Sequence, residues 1–402
     1  MPIYQKLVPI IIVLLVINWL SKGKDAFKIK ELFTNVPLLL LISFYSWHAV
    51  GMLWSQNTSF GAFDLEIKAS FLVLPIVYSA FGRFKAENFE NILSSYVLGC
   101  LGAILIGVIN SVWAYSSGVN PFLDFYSANI SPVLHISYFA MYLNLALVIV
   151  FYKIIKNEDN FYSWKNAALI FASFVFALAT FLSTSRNGFL ALLFLLLIVF
   201  SYSIVRYRKW LLGISMVLMV WIIASSLLKD IASGKMGLHG LDKVGKVMSA
   251  ESLSNDESES TGVRILIWKS ALELIKESPI IGVGTGDVKD DLISTYKKND
   301  YTAPYKKNYN AHNQYLQTAV ALGAVGLLLL LTLFGTATIM SFIRYNYLYL
   351  MFSINMAVSC VTESILEVQA GVVFFAFFTV ILSPIMNASV NRRFKFLKTT
   401  TN

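Results

Sequence analysis

Long apolar runs separated by short polar turns recur along the whole chain, and nothing in it shows the alternation over about ten residues that marks a membrane barrel strand. The runs fall at 7–20, 36–54, 66–82, 91–115, 132–152, 166–184, 187–205, 210–228, 314–342, 346–362 and 369–388. Each reaches or approaches the roughly 20 residues that a helix needs to cross a hydrocarbon core. The pattern predicts an all-α fold, a polytopic transmembrane helical bundle of about eleven spans. It also predicts three regions: eight spans in 1–228, one large loop in 229–313, and three spans with a C-terminal tail in 314–402. The first run has a basic flank, but Trp19-Leu20-Ser21-Lys22 lacks a small-x-small cleavage site, so it reads as a retained span.

Within the large loop, 249–260 (SAESLSNDESES) is too polar to fold alone and reads as a flexible segment. Ile265, Trp268, Ala271, Leu272 and Ile275 then share one face of an amphipathic helix predicted over 263–277, which Pro279 stops. The Gly-Val-Gly-Thr-Gly stretch from Gly282 to Gly286 has neither a preceding strand nor a following Lys-Ser/Thr, so a tight turn suits it better than a phosphate loop.

Composition supports the membrane reading, with 57% hydrophobic and 14% charged residues. The net charge of +9 is spread over alternate turns, among them Lys22, Lys24, Arg83, Lys153, Arg206, Arg344 and Arg392. That distribution is the positive-inside signature of orientation, not a nucleic-acid surface. It predicts an outside N-terminus, an inside C-terminus and an outer location for the 229–313 loop. The two cysteines, Cys100 and Cys360, lie within apolar runs and offer neither a disulfide framework nor a zinc site.

Candidate chemistry gathers at the outer ends of the runs. Arg186, in the Ser-Thr-Ser-Arg-Asn-Gly hairpin, suits a phosphate or carboxylate, although an interfacial Arg satisfied by headgroups is the alternative. Arg264 opens the amphipathic helix, where a cation opposes the macrodipole; an anion site there and a surface Arg without a role fit equally well. His312 precedes the ninth run and can take a proton from a hydroxyl, or serve structure alone. His48 and His135 fit structural roles. Glu363 and Glu367, four apart, are expected to share a helical face, where they would order a cation, pair with Arg186 or form a solvated rim.

Taken together, Ser-Thr-Ser-Arg-Asn-Gly around Arg186, Arg-x-x-x-Trp (Arg264, Trp268), Pro-x-x-Gly-x-Gly (Pro279, Gly282, Gly284) and His-Asn-x-Tyr-Leu (His312, Asn313, Tyr315, Leu316) resemble the O-antigen ligase and polymerase superfamily. These are membrane glycosyltransferases of the GT-C type. In the first half the resemblance rests on topology and the Leu53-Trp54-Ser55 ending of the second span. It implies transfer of a glycan from an undecaprenyl-pyrophosphate carrier to an acceptor hydroxyl at the periplasmic face of the bacterial inner membrane, without a nucleotide sugar, a metal or another cofactor. The family's two arginines match Arg186 and Arg264, both on the donor pyrophosphate, and its histidine matches His312, the general base. Asn313, Trp268, Tyr315 and Glu363 are accessory candidates. A lipid A-core hydroxyl is the leading acceptor; a growing glycan (a polymerase) or a protein hydroxyl (an O-oligosaccharyltransferase) would use the same donor site. A transporter of the lipid-linked glycan is the non-enzyme alternative. The family commonly carries one span more than counted here, so the chain is expected either to lack a first span or to start late.

Overall fold

A computed structural model describes residues 1–21, 23, 30–81, 85–117, 130–156, 163–207 and 261–383. Among them every regular element is helical: α1 (Val8–Leu20), α2 (Lys30–Phe33), α3 (Val36–Gly51), α4 (Thr58–Lys68), α5 (Ser70–Phe81), α6 (Ala86–Ser116), α7 (Ile136–Lys156), α8 (Trp164–Leu182), α9 (Arg186–Tyr207), α10 (Thr261–Glu277), α11 (Val288–Lys298), α12 (Thr302–Lys307), α13 (Gln314–Ile343), α14 (Tyr347–Thr362) and α15 (Gln369–Leu382). Short 3-10 turns lie at Gln5–Leu7, Met52–Trp54 and Ile365–Glu367. Ten of the predicted apolar runs are helices. The 66–82 run starts as α5 at Ser70, after the separate helix α4. The 210–228 run, the 249–260 segment and the basic C-terminal tail lie outside the described residues.

Five of these helical stretches are long and apolar enough to cross a membrane: Val36–Trp54, Ala86–Ser116, Ile136–Lys156, Trp164–Leu182 and Gln314–Ile343. The apolar helices Gln5–Leu20, Asn187–Val199, Tyr347–Thr362 and Gln369–Leu382 are shorter. Helix α7 is the hub, buried around almost its whole circumference by α6, α8, α9 and α14. An aromatic cluster surrounds it, with Tyr142 stacked on Phe374 at 4.5 Å and Tyr96 edge-on to Phe378 at 4.9 Å. Close crossings are made by small residues and tied by amides, as expected where lipid removes the driving force for apolar association. Gly188 abuts Ala140, Asn144 donates to the Gly188 carbonyl at 2.8 Å, and Asn355 to the Met141 carbonyl at 3.0 Å.

Helix α13 breaks at Gly323, whose φ of 64° and ψ of −160° suit glycine alone. The break exposes backbone groups that the membrane interior cannot solvate, so protein must satisfy them. The Pro279–Gly284 segment does so. Val283 and Gly284 donate to the Val320 and Ala321 carbonyls, both at 2.9 Å, while Ala324 and Val325 donate to the Pro279 and Ile280 carbonyls at 2.8 and 3.3 Å. Trp47 Nε1 caps the Leu322 carbonyl at 3.3 Å. The glycine stretch is therefore a turn, as its sequence predicts, and it stitches the chain after α10 into the kink of α13.

The amphipathic helix is present as α10, but its buried face differs from the expected one. Val263, Ile267, Ser270, Ala271 and Leu274 are buried, whereas Leu272 is 49% exposed and Ile265, Trp268 and Ile275 are half-buried. Helix α10 packs on α13 on one side and on α11 and α12 on the other. Two packing partners rotate and widen the covered stripe beyond what one three-four periodicity can indicate.

Candidate functional site

The site lies where several helices end together: the C-terminus of α14, the N-termini of α7, α10 and α13, and the 363–368 connector to α15. Each residue arrives there for a local reason. Asn313 is the N-cap of α13, its side-chain oxygen accepting from the Tyr315 and Leu316 amides at 2.9 and 3.1 Å. Just before it, His312 has φ of 43°, an uncommon conformation held by its surroundings. The His312 amide donates to the Asn310 side chain at 3.0 Å, and the Ala311 amide donates to Gln317 Oε1 at 3.0 Å. Trp268 Nε1 donates to the Ala311 carbonyl at 3.1 Å, which locks α10 to the same turn. The Tyr309 ring stands edge-on to the His312 imidazole at 5.0 Å.

Glu363 is the centre of the cluster. Its Oε2 lies 3.1 Å from His312 Nδ1, and its Oε1 accepts from Arg264 at 2.9 Å. A second Arg264 nitrogen donates to the Thr362 carbonyl at 2.8 Å. Ser137 Oγ, at the start of α7, stands 3.5 Å from the same carboxylate. The Glu363 side chain is 10% exposed, His312 15% and Arg264 27%, so the group is largely enclosed. Burial pushes the Glu363 carboxyl up, but the His312 hydrogen bond and the charges of His312, Arg264 and His135 outweigh it and hold the carboxyl below the usual carboxylate range.

This arrangement corrects the expectation for the glutamates. Helix α14 ends at Thr362, and Glu363 is extended (φ −143°, ψ 148°), so Glu363 and Glu367 share no helical face. Glu363 is buried, not part of a solvated rim, and its partners are Arg264 and His312. Glu367 turns the other way, onto Lys68 at 3.0 Å and Gln314 at 2.8 Å.

Arg186 is the first residue of α9, capped by Ser185, whose Oγ accepts the Gly188 amide at 3.1 Å. Its side chain lies outside the described residues. The neighbouring Asn187 donates to the Ser359 carbonyl at 3.1 Å, one turn before Thr362, and so brings the N-terminus of α9 to the last turn of α14. Both arginines thus stand at helix N-termini, whose free N–H groups and dipole favour an anion. Tyr315, in contrast, points away from His312 and donates to the Ala357 carbonyl at 2.9 Å. Among the described residues no three His, Cys, Asp or Glu side chains converge as metal ligands would.

Sequence reasoning passed over Ser137, Gln314 and Lys68, and assigned His135 to structure. Their lone polar side chains in or beside apolar runs carry no local signal; only packing brings them to the glutamates.

The family model described as O-antigen ligase matches residues 171–331, a segment that contains Arg186, Arg264 and His312. An uncharacterized protein of Haemophilus influenzae is 28% identical over 194 residues, covering 48% of this chain and 46% of that protein, so the chain spans about half the length of the relative it matches. The 171–331 segment is thus similar to the O-antigen ligase family, and it lies in a chain whose described residues form an all-helical bundle with five helices long and apolar enough to cross a membrane.

Proposed function

We propose that the protein is an O-antigen ligase, which transfers a glycan from undecaprenyl pyrophosphate to a lipid A-core hydroxyl at the periplasmic face of the inner membrane. The observation that carries this reading is the junction of His312, Glu363 and Arg264 at one end of the helical bundle. A carboxylate on Nδ1 favours the tautomer whose Nε2 lone pair is free to act as a base, the logic by which a carboxylate orients a catalytic histidine elsewhere. Nε2 takes the proton from the acceptor hydroxyl as its oxygen bonds to the anomeric carbon. The bond from that carbon to the phosphate oxygen breaks, and the electron pair leaves with the polyprenyl diphosphate.

Arg264, joined by Arg186 from the start of α9, neutralises the departing diphosphate. Arg264 spends two N–H groups on Thr362 and Glu363, and a guanidinium carries more donors than that. Charge-assisted bonds to an anion that gains charge as the bond breaks stabilise the transition state more than the ground state. The donor sugar lies beneath α10, and the carrier's tail lies among the spans.

The test is transfer in vitro by purified protein with a lipid-linked glycan and lipid A-core, in EDTA, alongside His312→Ala, Arg264→Ala and Arg186→Ala. Transfer by wild type, lost in folded variants, supports a ligase using these residues. Extension of the carrier-linked glycan in place of transfer to lipid A-core would make the protein a polymerase, and transfer to a protein hydroxyl an O-oligosaccharyltransferase. Movement of the intact donor across the bilayer without transfer would make it a transporter.

A further inference from the structure

A second charged cluster lies beneath the first. Lys68, the last residue of α4, is fully buried, and its ammonium bonds Asp64 of the same helix and Glu367 Oε2 at 3.0 Å. Glu367 Oε1 accepts from Gln314 Nε2 at 2.8 Å, and Gln314 Oε1 accepts the Leu366 amide at 2.7 Å. Both Gln314 and Leu366 are buried.

The topology gives this chain of bonds its meaning. Gln314 stands two residues after His312, and Leu366 and Glu367 stand three and four residues after Glu363. The Gln314 amide is thus a second bridge between the same two segments that the His312–Glu363 contact joins. A single hydrogen bond leaves two loops free to pivot; two bridges a few residues apart fix their register. A charged Glu367 strengthens its half of that bridge, and Lys68 supplies the opposite charge in this buried place. Burial pushes Glu367 up, and Lys68, Gln314 and His48 outweigh it and hold it down.

We propose that Lys68 and Glu367 are positioning residues, which set the register of His312 against Glu363 through Gln314 and so hold the base for glycan transfer. The proposal rests on the functional reading above. Surface charge does not explain the cluster, since Lys68 reaches no solvent. Packing alone does not explain it either, because an apolar side chain would fill the space of Lys68 without burying charge.

The experiment measures two things on the full-length protein in detergent: amide hydrogen exchange, and transfer kinetics of wild type, Lys68→Met, Glu363→Gln and the double variant. In Lys68→Met, exchange over 311–318 and 363–368 is expected to rise roughly tenfold or more while α7 is unchanged. The kcat falls roughly ten- to hundredfold, as for a small misplacement of a catalytic group, with KM for the donor within about twofold. In the Glu363→Gln background the Lys68→Met loss is clearly smaller than in wild type, because both act through one contact. Unchanged exchange in the two segments, or losses that multiply, would overturn the proposal. If Lys68→Met does not fold, Glu367→Gln, which leaves Lys68 paired with Asp64, carries the same expectations. If wild type transfers no glycan, the functional reading falls separately, and the exchange arm decides the coupling of the two segments.

Discussion

His312 Nδ1 stands 3.1 Å from Glu363 Oε2, although α13, α14 and the turn between them separate the two residues along the chain. A carboxylate at that distance fixes the ring's orientation and stabilises the imidazolium that forms when Nε2 accepts a proton. Substituting His312→Ala is expected to lower transfer by roughly 10²–10⁴-fold, the usual contribution of a general base. Glu363→Gln keeps the shape and loses the charge, so its loss should be smaller but still affect kcat. Steady-state kinetics per folded molecule, with donor binding measured in parallel, check both.

Arg264 holds Thr362 and Glu363 with two nitrogens of one planar group. Lysine cannot reproduce that fork. Removing bonds to a charged group worth about 1.5–3 kcal/mol should lower kcat/KM roughly ten- to hundredfold in Arg264→Ala. Arg264→Lys should recover only part of it. Full activity in either variant would remove Arg264 from the site.

The depressed Glu363 carboxyl makes stability depend on acid. A carboxylate held below its ordinary value of 4.5 contributes stability that is fully present above that value and is lost as pH falls through the lower folded one. The melting temperature of wild type should therefore exceed that of Glu363→Gln at neutral pH. The gap should close as pH falls below about 4.5. A gap that stays constant into acid would mean that the charge on Glu363 does not stabilise the fold.

Gly323→Ala tests the break in α13. The backbone there suits glycine, and an added Cβ would crowd the Ile280 carbonyl, which already accepts the Val325 amide. Forcing an L-residue into this conformation costs about 1–3 kcal/mol. The crowding adds to it, so thermal unfolding in detergent should occur at clearly lower temperature. An unchanged melting temperature would show that the helix can close over the break.

Trp268→Phe isolates the tether between α10 and the His312 turn. The aromatic contact is kept in part, and the Nε1 bond to the Ala311 carbonyl is lost. A net loss of about 0.5–1.5 kcal/mol is expected. Amide exchange at 310–313 should rise while exchange in α7 stays as it was.

The sequence by itself determined that the chain is helical and where most of its apolar helices lie, though not where each begins and ends. Apolar runs of near-membrane length, Pro279 after α10 and the glycine-rich turn are local signals, set by which residues a few positions apart can share a face or end a helix. His312 and Arg264 were singled out as candidates because a cation opening a helix and a histidine at the edge of an apolar run stand out from their neighbours. What only the tertiary structure decided is the pairing among them. Glu363 belongs with His312 and Arg264, and Glu367 with Lys68, because the chain leaves helix at Thr362 and sends the two carboxylates to different partners. The buried face of α10 rotated for a related reason, since two neighbours cover it instead of one. Periodicity records the short-range geometry of one element, whereas Lys68 of α4 and Arg264 of α10 are distant in sequence from the 363–368 connector and find its carboxylates only through tertiary packing.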